Sequence, residues 1–244
     1  MAGSSGQVAL ITGANKGIGF EIARRLGQAG LTVLLGARNV DLGKAAAAKL
    51  CSEKLDVRFV ELDLARPETI EAVAATIGAE FQRLDVLVNN AGILDAADGP
   101  PSAAGIDAVR GAMETNFVGA LAVTQAVLPL LRNARAGRIV NVSSGLGSLT
   151  LNADPEWQFA PFKLIGYCAS KAAMNMMTVQ LAYELRGTAI KVNSADPGYT
   201  ATDLNGNTGP QTVEEGAAES VRLALLPADG PTGGFFDSAG PEPW

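Results

Sequence analysis

A single doubly wound α/β domain built on a parallel sheet is the fold this chain predicts. Short β-branched runs alternate with helical stretches from one end to the other. Those runs are mostly apolar and bounded by Gly, Asn and Asp, and hydrophobic residues make up 48% of the chain against 18% charged. Strands of this kind are buried on both faces, which requires helices above and below the sheet. The 244 residues suit one such core, and no fixed repeat, low-complexity tract or linker marks a boundary, so 1–244 is expected as one domain.

The elements follow in order. VALITGA reads as a strand, followed by a helix from about Gly17 whose apolar face is Ile18, Ile22 and Leu26. LTVLLGA precedes a helix through Lys44 and Lys49, and VRFVELD precedes a helix opened by Pro67, a residue favoured at the first helical position. VLVNNAG is followed by a helix through Thr124 to Leu131, RIVNVSS by one around Tyr167 to Leu185, AIKVNSADPG by one near Val213 to Leu225, and GGFFDS closes a set of seven strands. Right-handed crossovers put successive helices on the two faces of this Rossmann-type sheet.

Composition excludes several functions. The chain has no histidine, which removes Ser-His hydrolases and His-ligated zinc enzymes and leaves proton transfer to Tyr, Lys, Asp, Glu or Cys. Cys51 and Cys168 are too few for a disulfide framework or a thiolate metal site, so no metal is expected. A net charge of −6 disfavours nucleic acid and anionic lipid as partners. The opening MAGSSGQVAL lacks a basic segment ahead of an apolar one, and the greasy stretch Gly119 to Leu131 is shorter than a membrane span, so a cytoplasmic protein is expected.

The first strand runs into TGANKGIG, where Gly13, Gly17 and Gly19 form a turn that opens a helix. Glycines there let backbone N–H groups approach a pyrophosphate, and the helix N-terminus adds partial positive charge. The spacing differs from G-x-G-x-x-G; a bare glycine turn is equally a structural device, and the strand before and amphipathic helix after favour nucleotide binding. The second strand ends Gly36, Ala37, Arg38, with a cation where an acid would bind a free ribose 2′-hydroxyl, so Arg38, with Lys16 from the glycine turn, favours NADPH/NADP+. One charge-assisted hydrogen bond of roughly 1.5–3 kcal/mol gives tenfold or better preference. As plain surface features, Arg38 and Lys16 are solvated cations, and Asp63, a candidate for the adenine amino group, is a helix N-cap.

The fourth strand ends Asn89, Asn90, Ala91, Gly92, and the fifth ends Ser143, Ser144. Tyr167 and Lys171 lie four apart and share a helix face, a spacing that also arises by chance. Taken together and in order, TGANKGIG, NNAG, TNFVGA, NVSS, YCASK and DPGYTATD resemble the short-chain dehydrogenase/reductase family, from the first strand to near the C-terminus, with carbonyl-reductase-like, NADP-preferring members the nearest in character.

That resemblance implies a catalytic tetrad of Asn116, Ser144, Tyr167 and Lys171 and an NADP-dependent carbonyl reductase or alcohol dehydrogenase of class EC 1.1.1. Ser144 would polarise the substrate oxygen and Tyr167 would protonate it. Lys171 would hold the nicotinamide ribose and draw the phenol, ordinarily near 10, downward. Asn116 would help hold a proton-relaying water, although an Asn near a helix start is commonly a cap. The cofactor contacts implied are Gly13, Asn15, Lys16, Gly17, Ile18, Gly19, Arg38, Asp63, Leu64, Asn90, Ala91, Gly92, Tyr167, Lys171, Pro197, Gly198, Thr200 and Thr202.

Two segments depart from the shorter members. Residues 145–166 form an arm about twice the usual length, carrying Trp157, Phe159 and Phe162, which either wall the substrate or pack the arm onto the body. Residues 204–216 read as a mobile, acidic lid, and that acidity favours a free small-molecule ketone or aldehyde over a substrate on an acidic carrier protein. Alcohol oxidation, carrier-bound 3-oxoacyl reduction and a non-catalytic NADP(H) sensor are the alternatives. Because the arm lies near a helix that relatives use for assembly, monomer, dimer and tetramer all stay open.

Overall fold

Consecutive apolar residues of each strand are sorted onto opposite faces of the sheet, and this sorting sets the layers. The computed structural model describes residues 6–244; the leading MAGSS, read above for a targeting signal, lies outside them. The elements are β1 (Val8–Ile11), α1 (Gly17–Gln28), β2 (Thr32–Ala37), α2 (Val40–Ser52), β3 (Val57–Glu61), α3 (Pro67–Glu80), β4 (Val86–Asn89), α4 (Ile106–Met113), α5 (Ala120–Arg132), β5 (Arg138–Val142), α6 (Leu149–Ala153), α7 (Ile165–Glu184), β6 (Lys191–Ala195), α8 (Val213–Ala224), β7 (Phe235–Asp237) and β8 (Gly240–Pro241).

Ile11, Val33, Leu35, Val88 and Val140 face Ile22 and Leu26 of α1, Leu50 of α2 and Leu223 of α8. Their chain neighbours Leu10, Leu34, Leu87 and Ile139 face Ile70, Val73 and Ile77 of α3 and Val123, Val127 and Leu131 of α5. The expected α/β architecture is present, with strand order β3-β2-β1-β4-β5-β6-β7-β8. β1 through β7 pair in parallel, in registers such as Leu10 with Leu34 and Leu87 with Ile139. β8, unforeseen, pairs antiparallel with β7 through a turn in which Asp237 Oδ1 accepts from the Ala239 and Gly240 N–H groups.

The helix expected from Thr124 begins far earlier. α4 and α5 are joined through a π-helical turn, Glu114–Gly119, into one run. α4 buries only Ala108 and Ala112 and exposes Ile106, so no apolar stripe announces it. The run Ile106–Arg132 has the length and hydropathy of a membrane span by composition alone; here Val123, Val127 and Leu131 bury its face in the core.

Candidate active site

Strand order reverses between β1 and β4, so the helices that follow them leave on opposite faces and a crevice opens beyond their C-terminal ends. A cleft of about 600 Å³ occupies that place. Gly13, Asn15, Lys16, Gly17, Ile18 and Gly19 line it from the turn after β1, and Asn90, Ala91 and Gly92 line it from the end of β4. The turn is tight: Gly13 has φ +63°, and a Cβ there would meet the Ala91 Cα at 2.9 Å, while one at Gly19 would clash with Asn90 Nδ2. Asn90 braces the turn by donating to the carbonyls of Thr12 and Gly13, and Thr12 Oγ1 accepts from the Asn90 and Ala91 N–H groups.

The start of α1 has no side chain accepting from it and no acid in its first turn, although such caps are common elsewhere in the fold. Its free N–H groups and dipole therefore face the cleft uncompensated, and an anionic diphosphate fits them. Arg38 is exposed and lines the cleft just past β2; Asp63 and Leu64 line it past β3. Asp63 is a local cap as well, Oδ1 accepting from the Ala65 N–H. Lys16 also lines the cleft, but its ammonium is paired at 2.6 Å with Asp203 across the cleft mouth.

Past β6, Pro197 and Thr202 line the cleft, as do Ala201 and Asp203, which were not among the expected contacts, and Leu204, the first residue of the expected lid. Gly198 and Thr200 are not among the lining residues. Gly198 turns the chain at φ +68°, and buried Thr200 donates to the Pro197 carbonyl, so both shape this loop from behind. The segment expected as a lid is tied to the body: Asn205 Nδ2 donates to the Thr200 carbonyl, Tyr199 and Thr208 share a hydroxyl bond, and its last four residues form the capped first turn of α8.

α7 carries Tyr167 and Lys171 to the cleft wall, both buried. The Lys171 ammonium lies 5.6 Å from the centre of the Tyr167 ring and donates to the Val142 carbonyl at 2.8 Å. Asn116 occupies the π turn, fully buried. Its Oδ1 accepts from the Ile93 N–H at 2.7 Å, and its Nδ2 donates to the Ile93 carbonyl and to Ser170 Oγ. Asn116 Oδ1 and Lys171 Nζ border the same space over Gly92, 3.5 and 3.6 Å from where a Cβ would stand. The wide π turn, typical of functional sites, places the amide there. Ser144 follows β5 by two residues in extended conformation, and its side chain pulls the Tyr167 phenol downward.

The protonation states differ from the expectation. Burial, and then the nearby Asp196 carboxylate, push the Tyr167 phenol well above its ordinary value, with only the Ser144 hydrogen bond pulling it down. Burial pulls Lys171 down to about 8 against the upward influence of Asp196. Desolvation dominates the phenol, so the protein alone holds Tyr167 as a proton donor.

The arm packs as an aromatic wall. Phe159 meets Trp157, Phe162 and Tyr199 edge-on, at 5.4, 6.0 and 5.9 Å between ring centres. It thereby joins the arm to the loop after β6, and Trp157 lies against Gly145, next to Ser144. Phe162 remains 45% exposed, so an apolar face is left open beside the site.

Residues 7–212 match the family model described as short chain dehydrogenase. The chain belongs to this family. It is 36% identical to the NADPH carbonyl reductase 1 of Mus musculus, with 99% of each chain covered, and 32% identical to a (+)-neomenthol dehydrogenase of Capsicum annuum, with 96% of each covered. An NADPH-bound carbonyl reductase from chicken fatty liver superposes with a TM-score of 0.85 at 27% identity, covering 98% of this chain and 99% of that one. The chain is thus an oxidoreductase of the class that interconverts carbonyls and alcohols with a nicotinamide dinucleotide.

In this short-chain dehydrogenase the residues expected as the tetrad are braced by two carboxylates that were not singled out in the sequence, although Asp196 opens the DPGYTATD segment. Asp196 receives hydrogen bonds from the Gly145 and Gly198 N–H groups. Asp98, 69 residues before Tyr167, accepts from the Gly166 and Tyr167 N–H groups at 3.0 and 2.8 Å, supplying the cap that Leu164 cannot. Asp98→Ala is expected to lower the unfolding free energy by about 2 kcal/mol, read from denaturant midpoints. It is also expected to lower kcat, because one freed N–H is Tyr167's own.

Proposed function

We propose that the protein reduces a small-molecule ketone or aldehyde to an alcohol with NADPH, Tyr167 acting as general acid. One observation carries the reading: at the wall of a dinucleotide-sized cleft, a buried phenol held protonated feels the Ser144 side chain and stands beside the Lys171 ammonium. The glycine turn and the start of α1 would hold the diphosphate, and Arg38 with Lys16 the 2′-phosphate. NADPH supplies the hydride when bound. Ser144 donates to the carbonyl oxygen as charge grows there, and Tyr167 passes its proton to the same atom. Lys171, anchored on the Val142 carbonyl, keeps positive charge under the phenol ring, and Asn116 fixes the Gly92–Ile93 backbone beside that ammonium.

The NADPH named for two of the relatives supports the cofactor choice, and the wall of Trp157, Phe159, Phe162 and Tyr199 supports a bulky apolar carbonyl substrate. The test is loss of NADPH absorbance with a panel of aliphatic and aromatic ketones and aldehydes, run in parallel with NADH. Turnover is expected with NADPH and apolar carbonyls. Tight NADPH binding without turnover of any panel member would replace this reading with that of a cofactor sensor.

A further inference from the structure

A carboxylate has enough lone pairs to accept from N–H groups of two separate segments at once, which makes it a clamp as well as a charge. Asp196 stands directly after β6, where the ladder to β5 runs out. The last ladder bond there is Ser143 N–H to the Ala195 carbonyl at 2.7 Å. One step on, the side chain takes over: Asp196 Oδ2 accepts from the Gly145 N–H and Oδ1 from the Gly198 N–H, both at 2.9 Å. The Asp196 N–H donates to the Phe236 carbonyl, so the clamp is itself anchored on β7.

We infer that Asp196 is a positioning residue, whose carboxylate locks the turn carrying Ser144 to the loop after β6 and thereby sets the Ser144 hydroxyl against Tyr167. The inference rests on the carbonyl-reductase reading above. Ser144 is otherwise held within its own turn, its Oγ accepting from the Leu146 N–H at 3.2 Å and its carbonyl from the Gly147 N–H at 2.8 Å, while Gly147 packs on the Lys171 backbone. An asparagine in place of Asp196 has one acceptor for two donors, so one of the two N–H groups would face an amide NH₂. Misplacement of a reacting group by about 1 Å costs on the order of 10²-fold in rate.

The clamp is also a charge that the reacting groups feel. Tyr167 and Lys171 face it from α7, Asp237 from β7, and Glu242 from the C-terminal tail. Burial, with Asp196 and Asp237 beside it, pushes Glu242 up to about 8. Glu242 Oε2 is buried with no donor facing it, a position that a neutral carboxyl satisfies by donating its own proton to Asp196. Burial and Asp237 raise Asp196 as well, against the Gly198 and Gly145 N–H groups and Lys171, and whatever negative charge the pair holds raises the Tyr167 phenol.

Asp196→Asn tests both parts. Amide exchange followed by NMR is expected to show protected Gly145 and Gly198 amides in the wild type and exchange about tenfold faster or more at both in the variant, with β5 and β6 unchanged. Carbonyl reduction is expected to lose about tenfold or more in kcat, with KM for the carbonyl within about threefold. In alcohol oxidation with NADP+, the limb that reports ionisation of Tyr167 is expected at lower pH in the variant, because the carboxylate that raised the phenol is gone; a purely structural role moves no such limb. Unprotected Gly145 and Gly198 amides in the wild type, which need no variant to fold, would overturn the clamp. So would unchanged exchange in the variant, or a kcat within about twofold together with an unmoved limb. A wild type that reduces no panel member defeats the carbonyl reading instead, and exchange then decides the clamp by itself.

Discussion

Tyr167→Phe is expected to lower kcat for carbonyl reduction by about 10²–10⁴ while NADPH affinity stays within about threefold. The substitution removes one oxygen and keeps the ring, so the packing of α7 and the place of Lys171 beneath it survive. What is lost is a proton held where charge grows on the substrate, and no neighbour replaces it. Ser144 has a hydroxyl in the right place but not a phenol's acidity, and Lys171 is committed to the Val142 carbonyl. Cys168, next along the helix, has its thiol pushed upward, mainly by burial. The wild-type pH profile should carry the same signature. Above its value of about 8, Lys171 loses its proton and with it the positive charge beside the phenol, so kcat/KM for reduction should fall as pH rises through about 8. Loss of NADPH absorbance measures the rate and quenching of NADPH fluorescence the binding. A variant that keeps a tenth or more of wild-type kcat, roughly 1.4 kcal/mol in barrier, would remove Tyr167 from the donor's role.

Much of this arrangement was readable in the residues. Runs such as VALI and VLL are apolar at every position because both faces of β1 and β2 are buried, and that property needs no neighbour to be seen. Gly13, Gly17 and Gly19 mark a turn by their own chemistry, and Tyr167 and Lys171 declare a shared face by their spacing. What escaped detection depends on closure of the chain over long distances. Asp98 reaches Tyr167 across 69 positions, Asp196 reaches Gly145 across 51, and Lys16 reaches Asp203 across 187. Each is an ordinary acid or base in its local context, and only the strand order brings it to its partner. The π turn at Asn116 was hidden for another reason. One extra residue in a helical turn leaves no compositional trace, and the small buried face of α4 left the helix before it unmarked. The direction of the Tyr167 shift belongs here too, since a sequence shows that Lys171 is near but not that both groups are dry.

Arg38→Asp is expected to reverse the cofactor preference, changing the ratio of kcat/KM for NADPH to that for NADH by about 10²-fold or more. Two effects act in the same direction. The guanidinium at the exposed end of β2 is a bidentate partner for a 2′-phosphate, and its loss forfeits a factor of about ten or more for NADPH. The new carboxylate repels that phosphate and accepts from the free 2′-hydroxyl of NADH, adding to the change from the other side. Lys16 does not restore the balance. Its ammonium is shared with Asp203, and although this pair is exposed on both sides and yields readily, a flexible point charge lacks the fork that fixes a phosphate in place. Lys16→Ala is therefore expected to weaken NADPH less than Arg38→Asp does, with a shallower salt dependence of binding than the wild type as its mark. Steady-state kinetics with each cofactor at fixed carbonyl concentration separates the two cations. If Arg38→Asp kept the NADPH preference and Lys16→Ala abolished it, the phosphate would be read from the glycine turn and the Lys16–Asp203 pair would be the element that opens to receive it.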